Sequence, residues 1–271
     1  MNKKNIKIIL YVIVILAFYA IIMLLIFKNN INSNNSNNSN SNNNNNNSST
    51  TAKNYYGVIG DNSIWKYNSG NWYKATENEV QGNKMDVFVN GNYFGNYKLM
   101  KGTTWNLFDD DNNYIDYEGD FIAFSKDLNV KIESFEIRQI NVLELNEINN
   151  TFGRTFDMNS FSTNEVIEKD LDFDGLNDKI INLSNLDLDN QKEYFNIIYI
   201  KQNNNKIIII KDNISVKDKL ISPRYNLKYI INYNSLNNDS IIIQKSYFSN
   251  AGETSDMLLN LINNKYEIAI N

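Results

Sequence analysis

Met85-Asp-Val-Phe-Val-Asn-Gly-Asn-Tyr-Phe-Gly-Asn-Tyr97 decides the fold class of this chain. Asn90-Gly91 divides Met85–Val89 from Asn92–Tyr97, and this pair favours a type I′ turn because both central residues must take positive φ. The two segments therefore fold back as an antiparallel hairpin. Upstream, Ser63-Ile-Trp-Lys-Tyr67 and Asn71-Trp-Tyr-Lys74 flank a second glycine-containing turn, Asn68-Ser69-Gly70. Downstream, Thr103–Phe108 continues the β-branched and aromatic pattern, and Asp120–Phe124 and Ser134–Arg138 add two further strands. Short strands at this spacing predict a small sandwich or barrel.

Farther along, Asn141 followed by Glu144 forms a capping-box pattern. Val142, Leu145 and Ile148 supply an apolar face, and Gly153 stands where the helix ends. Strands resume after it. Phe195–Ile200 and Lys206–Lys211 flank the polar stretch Lys201–Asn205 as a hairpin, and the unbroken Ile207–Ile210 run predicts a strand covered on both faces. Leu227–Tyr233, Ser240–Gln244, Met257–Leu261 and Tyr266–Ile270 complete a meander. The expected fold is mainly β, with two small antiparallel β domains over residues 53–140 and 154–271 joined by a short helix over 141–153. Each domain is expected to be sandwich-, barrel- or blade-like.

Ahead of this body, Ile8–Phe27 runs for twenty residues without a charged side chain. At about 1.5 Å per residue a helix of that length spans roughly 30 Å, the thickness of a bilayer's hydrocarbon core. Lys3, Lys4 and Lys7 precede it and Lys28 follows, so the positive-inside rule places the N-terminus in the cytoplasm. Residues 1–28 read as a cytoplasmic stub and single-pass signal-anchor, with the body extracytoplasmic. A cleavable signal peptide fits less well, because Ala17 and Ala20 are followed by Ile-Ile-Met-Leu-Leu-Ile-Phe instead of a cleavage site. Between anchor and body, 14 of the 22 residues Asn29–Thr50 are Asn and six are Ser. Such a tract cannot bury enough apolar surface to offset the entropy of ordering, so residues 29–52 read as a disordered linker with ends roughly 25 Å apart on average.

Composition narrows the chemistry. All 31 acidic residues and 22 of the 26 basic ones follow position 50, leaving the body at −9, a charge that disfavours nucleic acid as a partner. The chain has no cysteine, which excludes disulfides and a lipid-modified cysteine, and no histidine, which excludes histidine-based triads and histidine zinc sites. No pair of carboxylates stands out for glycoside hydrolysis, so the chain does not read as an enzyme.

The sharpest chemical pattern is Asp170-Leu-Asp172-Phe-Asp174-Gly175-Leu176-Asn-Asp178. Carboxylates at positions 1, 3 and 5, glycine at 6, a backbone carbonyl at 7 and a carboxylate at 9 form a hard-oxygen ligand set suited to Ca²⁺. The set is Asp170, Asp172, Asp174, the Leu176 carbonyl and Asp178. Position 12 is Ile181, not the bidentate Glu of an EF-hand, and the following residues read as strand. The pattern resembles the calcium loop of FG-GAP and VCBS-type repeats, including the apolar residue two positions on, Ile180. The resemblance covers one copy and implies a β-blade of a surface or secreted protein, with a structural Ca²⁺ stiffening the turn.

Two weaker patterns accompany it. Asp109–Asn113 with Asp116 is acidic but lacks the glycine of a calcium turn, and reads as a solvated hairpin loop. Trp65, Tyr67, Trp72 and Trp105, with Tyr73 and Tyr93, read either as core or as a ligand-stacking platform for sugars. The functional expectation is a membrane-tethered binding or adhesion module with a structural calcium loop, and a glycan or an envelope protein as partner. The alternatives are an accessory subunit of an envelope complex and a carboxylate-based hydrolase of surface polysaccharide.

Overall fold

Asn90 and Gly91 take φ of 49° and 80° in the computed structural model, and the turn joins β4 (Lys84–Val89) to β5 (Asn92–Lys101). The structure describes residues 53–189, 191, 193–202, 207–216, 223–234, 236–247, 254–262 and 265–270. Ser69 and Gly70, at φ 50° and 87°, close a second hairpin between β2 (Ser63–Asn68) and β3 (Asn71–Lys74). The expected anchor over Ile8–Phe27, the linker to residue 52, the turn after Gln202 and the side chains of the Ile207–Ile210 run lie outside the described residues. Among the described residues no helix is long and apolar enough to cross a membrane.

Among the described residues the strands form three sheets, and every pairing is antiparallel. Sheet I has the order β3-β2-β1-β8-β4-β5-β6-β7, with β1 (Tyr55–Ile59), β6 (Trp105–Phe108), β7 (Tyr114–Ile115) and β8 (Phe121–Ser125). Sheet II has the order β10-β11-β12-β13-β14, built from Ile137–Arg138, Thr163–Lys169, Asp178–Ser184, Tyr194–Lys201 and Ile207–Val216 in turn. Sheet III has the order β18-β17-β16-β15-β9, built from Lys265–Ile270, Thr254–Ile262, Ser240–Tyr247, Pro223–Asn232 and Lys131–Glu133.

Side-chain alternation stacks the sheets in layers. Ile59, Trp65, Phe88, Ile122 and Phe124 of sheet I meet Tyr229, Ile231, Ile242, Leu258 and Ile270 of sheet III. The opposite face of sheet III presents Tyr225, Ile230, Ile241, Ile243, Met257 and Leu259 to Ile167, Ile180, Ile198 and Ile200 of sheet II. The far side of sheet II, through Val166, Ile181, Leu183, Phe195, Ile197 and Tyr199, is covered by Leu145 and Ile148 of α2 (Val142–Phe152). Strands buried on both faces lose the apolar–polar alternation of a half-exposed strand. Ile241-Ile242-Ile243 is the result, with its middle residue turned to sheet I and the outer two to sheet II. Sheet I also curls over its other face, where Val58, Met85, Val87, Leu99, Trp105 and Leu107 gather around Val80 of α1 (Glu77–Val80). Lys101 Nζ donates to the Asp61 carbonyl at 2.8 Å, and the Trp105 N–H donates to Asp61 Oδ1 at 3.2 Å. These contacts draw the end of β5 to the β1–β2 turn across two intervening strands.

Residues 51–271 group as one compact unit, and the division drawn at 141–153 is crossed in two places. β9, which precedes α2, pairs with β15, which follows it, and the sheet I–sheet III core draws on both parts. α2 covers sheet II and does not bridge two separate cores. Its ends match the sequence pattern: the Glu144 N–H donates to Asn141 Oδ1, the Asn141 N–H donates to Glu144 Oε2, and Gly153 takes φ 63°. Its apolar face is narrower than expected, because Val142 is 62% exposed. Ser134–Arg138 is likewise not one strand. The chain leaves sheet III after Glu133 and enters sheet II at Ile137.

Candidate metal centre

The acidic loop is the hairpin connection between β11 and β12, closed by the cross-strand pair Lys169 and Asp178. Asp170 organises its first half, accepting the Asp174 N–H on Oδ1 at 3.1 Å and the Gly175 N–H on Oδ2 at 2.9 Å. Asp174 Oδ1 accepts the Leu176 N–H at 2.9 Å. These local acceptor bonds are what short carboxylate side chains offer a turn. Gly175 takes φ 88°, where a side chain is strained, which accounts for glycine at the sixth position. Phe173 also takes positive φ, 57°, a conformation the sequence pattern does not announce.

Oxygens of Asp170, Asp172 and Asp174 lie within 4.8 Å of one another, close enough to share one cation. Asp178 takes a different place from the one expected. It is buried, and its Oδ2 accepts the Leu171 N–H at 3.1 Å, closing the base of the loop outside the trio. Gln202, at the end of β13, donates from Nε2 to Asp172 Oδ2 at 3.1 Å. Asp172 Oδ1 is buried and meets no hydrogen-bond donor among the described residues. A buried carboxylate oxygen left in that state is costly, and a cation is the partner that removes the cost.

The loop is fastened to sheet III. The Leu171 side chain is fully buried, and its carbonyl accepts the Asp239 N–H at 2.7 Å and the Tyr266 hydroxyl at 3.2 Å. Burial pushes the Tyr266 hydroxyl well above the usual phenol range, and the negative charge of Asp178, Asp239, Asp172 and Asp170 pushes it further. Burial likewise raises the Asp239 carboxyl to about 6, against the pull of the nearby Lys169 ammonium.

The expected stacking platform does not form from the tryptophans. Trp65, Trp72 and Trp105 are 2%, 6% and 1% exposed. Trp65 and Trp72 are wedged between sheets I and III, where Trp72 Nε1 donates to Tyr233 Oη at 3.1 Å and the half-buried Tyr67 packs on Trp72 at 5.1 Å. Trp105 lies inside the curl of sheet I. Large apolar rings gain more by leaving water than by staying available to a ligand. Tyr73 and Tyr93 remain exposed. In the Asp109–Asn113 loop, Asp109 accepts the Asn113 N–H at 2.8 Å and Asp110 pairs with Lys84 at 2.7 Å, so these carboxylates serve the turn and a surface ion pair.

One further polar cluster escaped the sequence reading. Asp256 is 5% exposed at the edge of the sheet I–sheet III interface, where Ser63 Oγ donates to its Oδ2 at 2.6 Å. It lines a small pocket with Asp120, Lys228, Tyr229 and Gln244. Burial raises its carboxyl to about 6. No motif marks this group, because Ser63 and Asp256 stand 193 residues apart. Comparison of the chain with protein-family models, curated proteins and solved structures found no match.

Proposed function

We propose that the chain is a membrane-tethered, extracytoplasmic binding or adhesion module whose β body is braced by a structural Ca²⁺ at Asp170, Asp172 and Asp174. The observation that carries the metal is the buried, donor-free Asp172 Oδ1 inside a trio of carboxylates whose oxygens lie within 4.8 Å of one another. Hard oxygen ligands on a turn suit Ca²⁺, with the Leu176 carbonyl and water completing the shell. The tether rests on the apolar run Ile8–Phe27 and its basic flank, and the reach of the body on the Asn/Ser tract. The acidic body suits a neutral glycan or a basic protein face as partner, and no catalysis is assigned to it.

Detergent-solubilised full-length chain, melted with Ca²⁺ and with EGTA under intrinsic tryptophan fluorescence, tests the metal. At a calcium concentration a hundred times Kd, binding to the native state adds about 2.7 kcal/mol. For a body of this size that raises Tm by roughly 5–10 °C. Coincident melting curves reject the metal. Topology is tested apart from it: protease added to intact cells should digest the body, and a body protected until lysis rejects the extracytoplasmic placement.

A further inference from the structure

We propose that Gln202 is a fourth side chain of the cation site, supplying its Oε1 as a ligand and tuning the site toward Ca²⁺ over Mg²⁺. The inference rests on the calcium reading above and adds a residue that lies outside the loop. The strand register delivers it. Lys179 stands opposite Lys201 in the β12–β13 pair, so the next residue, Gln202, falls beside the loop's exit at Asp178.

Gln202 is 0% exposed, and its amide is already in contact with the site through the 3.1 Å bond from Nε2 to Asp172 Oδ2. Both the Gln202 Oε1 and Asp172 Oδ1 atoms are buried, and neither meets a donor among the described residues. Both are acceptor-only atoms, so a further acceptor brings nothing to either, and a cation satisfies Asp172 Oδ1 directly and Gln202 Oε1 once the amide turns over. The terminal torsion of a glutamine is soft and the amide can turn over, exchanging Oε1 for Nε2 at the position facing Asp172. With Oε1 turned in, the protein offers oxygens from Asp170, Asp172, Asp174, Gln202 and the Leu176 carbonyl. Those five donors, with a bidentate carboxylate or water added, reach the six to eight ligands of Ca²⁺. Mg²⁺ demands a small octahedron, keeps several of its waters and gains less from a neutral side-chain oxygen arriving from another strand.

The test is calorimetric titration of the detergent-solubilised full-length protein and of its Gln202→Leu and Gln202→Glu variants with CaCl₂ and with MgCl₂. Gln202→Leu should weaken Ca²⁺ binding at least tenfold and change Mg²⁺ binding by less than threefold. Gln202→Glu, which restores an oxygen at the same reach, should bind Ca²⁺ at least as tightly as the wild type. Metal-free melting of all three proteins checks the fold: each should unfold in one cooperative transition, with Gln202→Leu lowered modestly because it takes the Nε2 donor from Asp172 Oδ2. Calcium affinity within twofold of wild type in Gln202→Leu overturns the proposal and leaves the calcium reading standing. A loss that Gln202→Glu fails to restore assigns Gln202 to packing and also overturns it. A wild-type protein that takes up neither ion overturns the calcium reading itself.

Discussion

Two buried carboxyls pull the stability of this protein in opposite directions as pH changes. Burial alone would raise Glu144, but hydrogen bonds from Arg138, Lys179 and the Asn141 backbone outweigh it and bring the carboxyl down to about 2. Its contribution is present above its ordinary value of 4.5 and is lost as pH falls from there toward 2. Asp256 behaves the other way. Its carboxyl rises from 3.8 to about 6, so its contribution is complete below 3.8 and drains away as pH rises through 6. Asp256→Asn keeps an oxygen for Ser63 and removes the ionisation. In EGTA the variant should lose the part of the decline in urea midpoint between pH 4 and pH 7 that comes from Asp256, the rest following Asp239, and at pH 7 it should be the more stable by up to about 3 kcal/mol. Parallel profiles for the two proteins would show that Asp256 ionises in the native state at little cost. The same scale shows what a sequence discloses about a site. Asp170, Asp172 and Asp174 were legible because a single turn gathers them. Gln202 and the Ser63–Asp256 pair were not, because strand register and sheet stacking bring them to their partners.

Elements whose signals are local read correctly from the sequence. The hairpin turns at Asn90-Gly91 and Ser69-Gly70 and both ends of α2 depend on residues within one turn of each other. Asn141→Ala removes the acceptor for the Glu144 N–H and should cost about 1 kcal/mol, measured as a lower urea midpoint with an unchanged m-value. An unaltered midpoint would mean that packing of Leu145 and Ile148 on sheet II fixes the helix start without the cap. Elements whose identity depends on a distant partner were harder to read. Ser134–Arg138 alternates like one strand, yet only Ile137–Arg138 joins a sheet and the residues before it are the crossing from sheet III, and alternation carries no record of which sheet a segment joins. β9 and β10 are so short that pairing alone makes them strands.

At the scale of the whole molecule, sheet III is shared by two cores, and that explains why two domains were expected where one unit forms. Turn chemistry and strand spacing are the same whether sheets stack or stand apart. Runs without a polar position, Ile241-Ile242-Ile243 and Met257-Leu258-Leu259, are the hint that these strands have no solvent face. Ile242→Ala opens a cavity facing sheet I and should cost about 2–5 kcal/mol. Because the same sheet serves sheet II, fluorescence of Trp65 and Trp72 and far-ultraviolet circular dichroism should still report one coincident transition at a lower temperature. Two separated transitions would mean that the layers melt independently. The Leu171 carbonyl, held by Asp239 and Tyr266, gives this layering a mechanical side. If a partner tugs on the body while the anchor holds, sheets II and III can shear apart only by tearing the loop from its rivet. Under the proposed calcium reading, an ion that stiffens the loop resists the load at that seam, and grip would follow the supply of the ion.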